Sequence, residues 1–198
     1  MSNQVEVIFI GAGGHASVLC EIMSKQNYSI KAILSKSDGK IANIFKSLNV
    51  SIKTIDPVLF EPTTYKLVNG VGYMPYSTAR FDVWDLYKKL DYTFASVVAS
   101  SSDISIDAAL GEGVQIMKRA VISVNVKIGA NTIVNTGAII EHDSEIGDSC
   151  HIAPGAILCG NVKIEDYCFI GAGATIFQGV KLPKHTIVPA GAVISKER

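Results

Sequence analysis

Proton transfer near neutral pH needs a group that titrates there, and the chain holds four such groups: His15, His142, His151 and His185. His142 stands in the run Ile140-Glu141-His142-Asp143. The neighbouring carboxylate can hold one ring nitrogen and leave the other to act as a base. The same run also reads as an exposed turn histidine among acidic residues, and both readings stay open at this point. His151 follows nine residues later, and His185 reads as a surface residue in Leu182-Pro183-Lys184-His185. Cys159 has the right type for a nucleophile, but no neighbour in sequence supplies the positive charge that would activate it. Near the start, Gly11-Ala12-Gly13-Gly14-His15-Ala16 matches G-x-G-x-x-[GA]. In that pattern Gly11 serves the tight turn, Gly13 close backbone approach and Ala16 helix–strand packing. Such a turn offers N–H groups and a helix N-terminus to a phosphate or pyrophosphate. Lys163, Lys181, Lys184, Lys196 and Arg198 gather toward the C-terminal end, to meet anionic groups or simply to form a solvated face.

Two different frames must position these groups. The apolar run Val5–Ile10 predicts a strand before the glycine turn, and a helical run follows to about Lys25. Further strands are expected over Ile30–Leu34, Tyr65–Val71 and Thr93–Val98, and a helix over Arg80–Leu90 with Phe81, Trp84, Leu86 and Tyr87 on its apolar side. Residues 36–64 carry turn formers, with Pro57 and Pro62 as breakers, and predict no regular element. A nicotinamide dinucleotide site wants an acidic residue at the end of the second strand. Ser35 and Lys36 stand there, with Asp38 slightly later. A nucleotide-linked diphosphate therefore suits the turn better than a dinucleotide, and a purely structural glycine turn is the remaining reading.

From Val98 to Ile194 every sixth residue is Ile, Leu or Val, seventeen in succession without an insertion. A period of six fits neither a helix at 3.6 nor a simple strand at 2. It fits a short strand and a bend, repeated. Two positions before each aliphatic stands a smaller residue, such as Ala120, Thr132, Ser144, Cys150 or Cys168. Residues two apart on a strand share a face, so both sets point inward and His142 and His151 point outward. Three strands close one turn in eighteen residues, giving between five and six stacked coils of a parallel β-helix. Cys150 and Cys168, eighteen apart, should stack inside it as small apolar filler. Gly111, Gly129, Gly147 and Gly171 follow the aliphatic position and should ease the bend. The expected domains are 1–96 and 97–198.

Composition narrows the classes further. The 198 residues carry 18 Lys+Arg against 18 Asp+Glu, which argues against a nucleic-acid binder held by phosphate contacts. The AVILMFWYC set makes up 48%, too apolar for disorder. Apolar runs fall far short of the ~20 residues that span a bilayer. No charged and apolar leader opens the chain. Four cysteines without metal-ligand spacing suggest reduced thiols. A cytoplasmic protein with no membrane or nucleic-acid partner is the expectation.

Taken together, these motifs resemble the bacterial nucleotide-amino-sugar N-acetyltransferases of the hexapeptide-repeat family. Those include the UDP-4-amino-sugar enzymes of bacillosamine synthesis and the GDP-perosamine enzyme, with sialic acid O-acetyltransferases as relatives. The resemblance rests on the glycine turn, Gly70-Val71-Gly72 with Arg80, the hexad array, Asn135-Thr136 before Ile140-Glu141-His142-Asp143, Gly147-Asp148 before His151, and Cys159-Gly160-Asn161-Val162-Lys163-Ile164. It implies an α/β Rossmann-like N-terminal domain that binds the nucleotide sugar, and a C-terminal left-handed parallel β-helix that carries acetyl transfer. It implies His142 as general base, supported by Asp143 where similar enzymes often carry Glu. Gly11, Gly13, Gly14, His15, Gly72 and Asn135 would bind the acceptor. His151, Gly160, Ala172 and Ala190 would line the acetyl-CoA side, and the assembly would be a homotrimer. Acetyl-CoA is the implied co-substrate, and no metal is expected. The rival activities are O-acetylation of a hydroxyl sugar and, outside catalysis, nucleotide-sugar binding alone. A zinc hydratase on the same coil would need three converging histidines. Acidic residues read the base in similar UDP-sugar enzymes, so Ser35-Lys36 leaves the nucleotide open among UDP, GDP and dTDP.

Overall fold

The computed structural model describes residues 4–35, 43–47, 51–54 and 60–195. The chain divides into two compact units at Val97/Val98.

The first unit follows from its buried strand. β1 (Val5–Ile10) is fully buried from Val7 to Ile10, the near-continuous apolar run of a strand covered on both faces. The chain continues through α1 (Gly14–Met23), β2 (Tyr28–Ser35), α2 (Asn43–Ser47), β3 (Ser51–Thr54), β4 (Lys66–Asn69) and α3 (Ala79–Lys88). The four strands form one parallel sheet in the order β3-β2-β1-β4. On one side Phe9 meets Phe45 of α2 edge-on, with centroids 5.7 Å apart. On the other, Ile8 and Ile10 pack with Leu67, Tyr87, Tyr92 and Phe94, and Trp84 of α3 stacks on Phe94 at 4.6 Å.

Several expectations need correction here. The segment Thr93–Val98 is not one strand: Phe94 makes a single bridge to Leu67, and regular pairing resumes only at Val97–Val98. The strand expected over Tyr65–Val71 ends at Asn69, because Gly70 turns the chain. Leu86 stays exposed on α3 while Tyr87 is buried. The stretch without expected structure contains α2 and β3; Lys36, Asp38 and Pro57 lie outside the described residues.

The second unit is the parallel β-helix that the period of six predicts. Seventeen two-residue strands run from Val97–Val98 to Val193–Ile194 among the described residues. They form three parallel sheets of six, six and five strands. Each strand pairs with the one eighteen residues away, as Ile133 with His151 and His151 with Phe169. The sheets make three faces: a first through Ile152, a second through Ile140 and a third through Ile146. Aliphatics and the smaller residues two before them fill one continuous core. Cys150 and Cys168 are fully buried in it as free thiols, one coil apart. The Cys168 sulfur and burial push the Cys150 thiol above its ordinary pKa.

The glycines after the aliphatic position act differently from expectation. None of Gly111, Gly129, Gly147 and Gly171 has a positive φ. The left-handed residue lies two positions later, at every sixth residue from Gly113 through Asn125, Asn131, Asp143 and Asn161 to Gly191. Asn and Asp tolerate that conformation because their short polar side chains bond locally. What Gly129 supplies is room: a Cβ there would lie 2.3 Å from Asp148 Oδ1 and 2.5 Å from the Gly147 carbonyl carbon of the next coil.

Candidate active site

His142 sits at the corner where the second face turns into the third, after Ile139–Ile140 and before Glu145–Ile146. Its own backbone holds it there: Asn161 N donates to the His142 carbonyl at 2.8 Å, and Asp143 N donates to the Val124 carbonyl at 3.1 Å. The corner is thus bonded to the coil on each side. His142 Nδ1 lies 2.8 Å from Asp143 Oδ2. That carboxylate only accepts, so Nδ1–H is the donor, and in the neutral ring Nε2 is the nitrogen with the lone pair. The hydrogen bond from His142, and then that from Asn125, hold the Asp143 carboxyl below the usual range. Both side chains are about half exposed, at 50% and 52%, so the free nitrogen is open to a substrate.

Two residues complete this geometry: Asn125, which went unread in the sequence, and Gly160, expected on the acetyl-CoA side. Asn125, one coil before Asp143, donates its Nδ2 to Asp143 Oδ1 at 3.1 Å. Gly160, one coil after His142, carries the imidazole over its bare Cα: a Cβ there would lie 2.6 Å from both Cε1 and Nε2. The eighteen-residue ruler that stacks the two cysteines aligns 125 with 143 and 142 with 160 as well, and would have found Asn125 and the seat of His142 on Gly160.

Asn135 and His151 meet on the first-face side. Asn135 Oδ1 accepts from Thr136 N at 2.7 Å, so its Nδ2 is the donor to His151 Nε2 at 3.1 Å. That contact makes His151 the neutral Nδ1–H tautomer. His151 points off the strand but is 9% exposed, and its ring stands edge-on to Phe169 at 5.0 Å. Asn135 is therefore brought to His151 within this unit, and His142 to Gly160. Ala172 and Ala190 stack at the corner between first and second faces, where Gly191 N donates to the Ala172 carbonyl at 2.9 Å. Both are exposed, leaving a shallow strip without side-chain bulk. Cys159 is a partly exposed free thiol.

The lysines on the third face are matched by carboxylates: Lys163 lies 3.9 Å from Glu145 and Lys184 2.7 Å from Asp166. Lys181 is in register with Lys163. Lys196 and Arg198 lie outside the described residues. His185 stacks flat on Tyr167 at 4.9 Å. Among the described residues no three His, Cys, Asp or Glu side chains gather as a metal would need.

In the first unit the glycine turn opens at the carboxyl ends of β1 and β4, where strand order reverses, the place where ligands enter open parallel sheets. Gly11 has φ +96°, a conformation side chains rarely adopt. A Cβ on Gly13 or Gly14 would touch nothing within 4 Å, so the side facing away from the sheet is open. Gly72 lies against His15, its hypothetical Cβ 3.3 Å from the His15 Cβ. Arg80 is buried beneath this turn. Its Nη1 donates to the Val71 carbonyl at 2.6 Å and the Asn69 carbonyl at 3.3 Å, while Asn69 Nδ2 donates back to the Arg80 carbonyl at 3.1 Å. Burial pushes the guanidinium down to about 9, still charged at neutral pH. A charged residue inside an amphipathic helix pattern reads as surface, which is why this structural role escaped the sequence.

Residues 143–178 match the family model for bacterial transferase hexapeptides (six repeats), and residues 161–196 match the hexapeptide repeat of succinyl-transferase. Comparison with curated protein sequences gave no match. Among solved structures, a histidine-to-asparagine mutant of perosamine N-acetyltransferase from Caulobacter crescentus, in complex with CoA and GDP-perosamine, is similar at TM-score 0.86 and 28% identity. The match covers 97% of this chain and 89% of that one. The acetyltransferase domain of PglB from Neisseria gonorrhoeae, in complex with acetyl coenzyme A, is similar at TM-score 0.83 and 25% identity, over 98% of this chain and 92% of that one. WeeI from Acinetobacter baumannii shares the fold at TM-score 0.51 and 16% identity, with 97% of each chain covered. The repeat, the sheet orders and these likenesses together mark the chain as an acetyl-CoA-dependent acyltransferase that resembles the nucleotide-amino-sugar N-acetyltransferases of the hexapeptide type.

Proposed function

We propose that the chain transfers the acetyl group of acetyl-CoA to the 4-amino group of a nucleotide-linked amino-deoxy sugar, in bacterial glycan biosynthesis. The observation that carries this reading is the His142–Asp143 pair at 2.8 Å with its ring seated over Gly160. The neutral amine attacks the thioester carbonyl and an N–C bond forms. The C–S bond then breaks, and the amine proton passes through His142 Nε2 to the departing CoA sulfur. Asp143 orients the imidazole and stabilises its protonated form. Direct attack needs no acyl-enzyme, so Cys159 is given no part.

In this reading residues 1–96 are a Rossmann-like nucleotide-sugar domain and residues 97–198 a left-handed β-helix that carries the chemistry. Gly11, Gly13, Gly14, His15 and Gly72 hold the diphosphate, with Asn135 on the acceptor side. His151, Gly160, Ala172 and Ala190 line the path of acetyl-CoA, and a backbone N–H near Gly160 stabilises the developing oxyanion. The protein works in the cytoplasm as a homotrimer, with acetyl-CoA between neighbouring β-helices. The second face supports association: its outward Val121, Ile157 and Val193, with Ile106, Val124 and Phe177 at the corner beside His142, are exposed, and contiguous exposed apolar surface marks an interface. The Caulobacter enzyme, whose mutated histidine was studied with CoA and GDP-perosamine bound, supports the substrate pair.

The test is a panel of UDP-, GDP- and dTDP-linked 4-amino sugars with acetyl-CoA, following free thiol release and the acetylation linkage by mass analysis. His142→Ala is expected to lower turnover by ~10²-fold or more with nucleotide-sugar binding intact by calorimetry. Wild-type turnover in that variant removes the general-base assignment.

A further inference from the structure

We infer that Asn125, which neither the repeat nor the site motifs assign, is a positioning residue for the general base. It is a carboxamide clamp on the carboxylate that orients His142. The inference rests on the reading of His142 as the catalytic base.

Asp143 has two oxygens with separate partners. Oδ2 takes the His142 Nδ1–H at 2.8 Å, and Oδ1 takes Asn125 Nδ2 at 3.1 Å. A carboxylate half exposed at a bend would otherwise turn freely about its χ angles. With only one methylene between backbone and carboxyl, a small rotation takes Oδ2 out of reach of the ring. Holding Oδ1 from the coil before stops that rotation. Asn125 is itself fixed, because its N–H donates to Asp107 Oδ2 at 3.2 Å and Asp107 Oδ1 accepts from Ser105 Oγ at 2.5 Å. The chain Ser105–Asp107–Asn125–Asp143–His142 thus runs across three coils along one corner. An amide is the side chain this place calls for. It donates to a carboxylate without adding charge, whereas a lysine would depress the basicity of His142 and a second carboxylate would raise it. The titratable groups nearest His142 on the elements around it are Asp143, Glu141 beside it, Asp107 through Asn125, and Cys159 next to Gly160.

Asn125 has φ +58°, which decides the variants. Asn125→Gly keeps the left-handed backbone and removes the donor. Asn125→Asp also tolerates that backbone but sets a carboxylate against Asp143. The clamp predicts opposite effects. Asn125→Gly lowers kcat about tenfold, with KM for acetyl-CoA and for the nucleotide sugar little changed. It moves the His142 imidazole titration, followed by NMR of the free protein and assigned with His142→Ala, to lower pH. Asn125→Asp moves both that titration and the acidic limb of the kcat profile to higher pH, since added negative charge favours imidazolium. A residue that merely forms the corner gives a different result: Asn125→Gly titrates as wild type and keeps kcat, whatever charge alone does in Asn125→Asp, and the inference is then wrong. The NMR titration needs no turnover, so loss of the clamp effect and absence of acetyl transfer in the wild type are separate outcomes.

Discussion

Replacing Gly160 by alanine adds one methyl group where the His142 imidazole rests. The Cβ would stand 2.6 Å from Cε1 and Nε2, against 3.4 Å or more for an ordinary contact, so the ring must retreat by about 0.8 Å, the difference between the two. The backbone at Gly160 has no positive φ, so alanine fits the chain itself and the strain falls on the imidazole alone. His142 is half exposed, and its ring can swing toward solvent at small cost. The melting temperature should therefore stay close to wild type, as surface changes usually leave stability within about 0.5 kcal/mol. Catalysis is far less tolerant, because misplacing a reacting group by ~1 Å costs about 10²-fold. That corresponds to about 2.7 kcal/mol at 1.36 kcal/mol per tenfold. Thiol release at saturating acetyl-CoA and nucleotide sugar, paired with thermal melts, reads both quantities. Gly160→Ala should lower kcat by about 10²-fold and add little further loss in the His142→Ala background, since both changes act through one group. If the single variant keeps near-wild-type kcat, or its loss multiplies fully with that of His142→Ala, Gly160 is not the seat of the base.

Two further outcomes bear on stability. Gly70→Ala puts a Cβ 2.8 Å from the Ala16 Cβ of α1 and 2.9 Å from the Ile10 carbonyl oxygen, neither of which can swing aside as the end of a long side chain could. It should cost about 1–3 kcal/mol of stability in the first unit, and an unchanged unfolding transition by calorimetry would contradict this. Acid should also weaken the fold: hydrogen bonds from Ser105, His142, Lys127 and Lys184 hold Asp107, Asp143, Glu145 and Asp166 below their ordinary values of 3.8 and 4.5. The folded state then binds these protons less tightly than the unfolded chain, so the contribution is complete above those ordinary values and is lost as pH falls through and below them. Melting temperatures by circular dichroism should be flat near neutrality and drop below about pH 4.5; constancy down to pH 3 would count against these pairs.

What the sequence determined by itself was everything carried by regular spacing. An uninterrupted aliphatic at every sixth residue can satisfy burial in only one way, so the three-sheet coil, its eighteen-residue neighbours, the stacked Cys150 and Cys168 and the outward bearing of His142 were all legible. The run Val5–Ile10, apolar but for Glu6, and the glycines after it likewise announced a buried strand and its turn, because a strand covered on both faces reads as a near-continuous apolar run. Tertiary structure alone decided which neighbours touch. Spacing says that residue 160 lies over residue 142, but only side-chain direction shows the imidazole folded onto a bare Cα. It also decided that Asn135 turns to His151, and that Asn125 reaches the outer oxygen of Asp143. Arg80 lies buried beneath a turn whose carbonyls accept its protons, although its charge reads as surface in the helix pattern. The short elements Asn43–Ser47 and Ser51–Thr54 also escaped, since so few residues give no period to count and owe their order to the sheet they join. Periodicity reports which side of an element is buried; the partner of a polar side chain depends on a rotamer and a neighbouring coil, and one-dimensional spacing encodes neither.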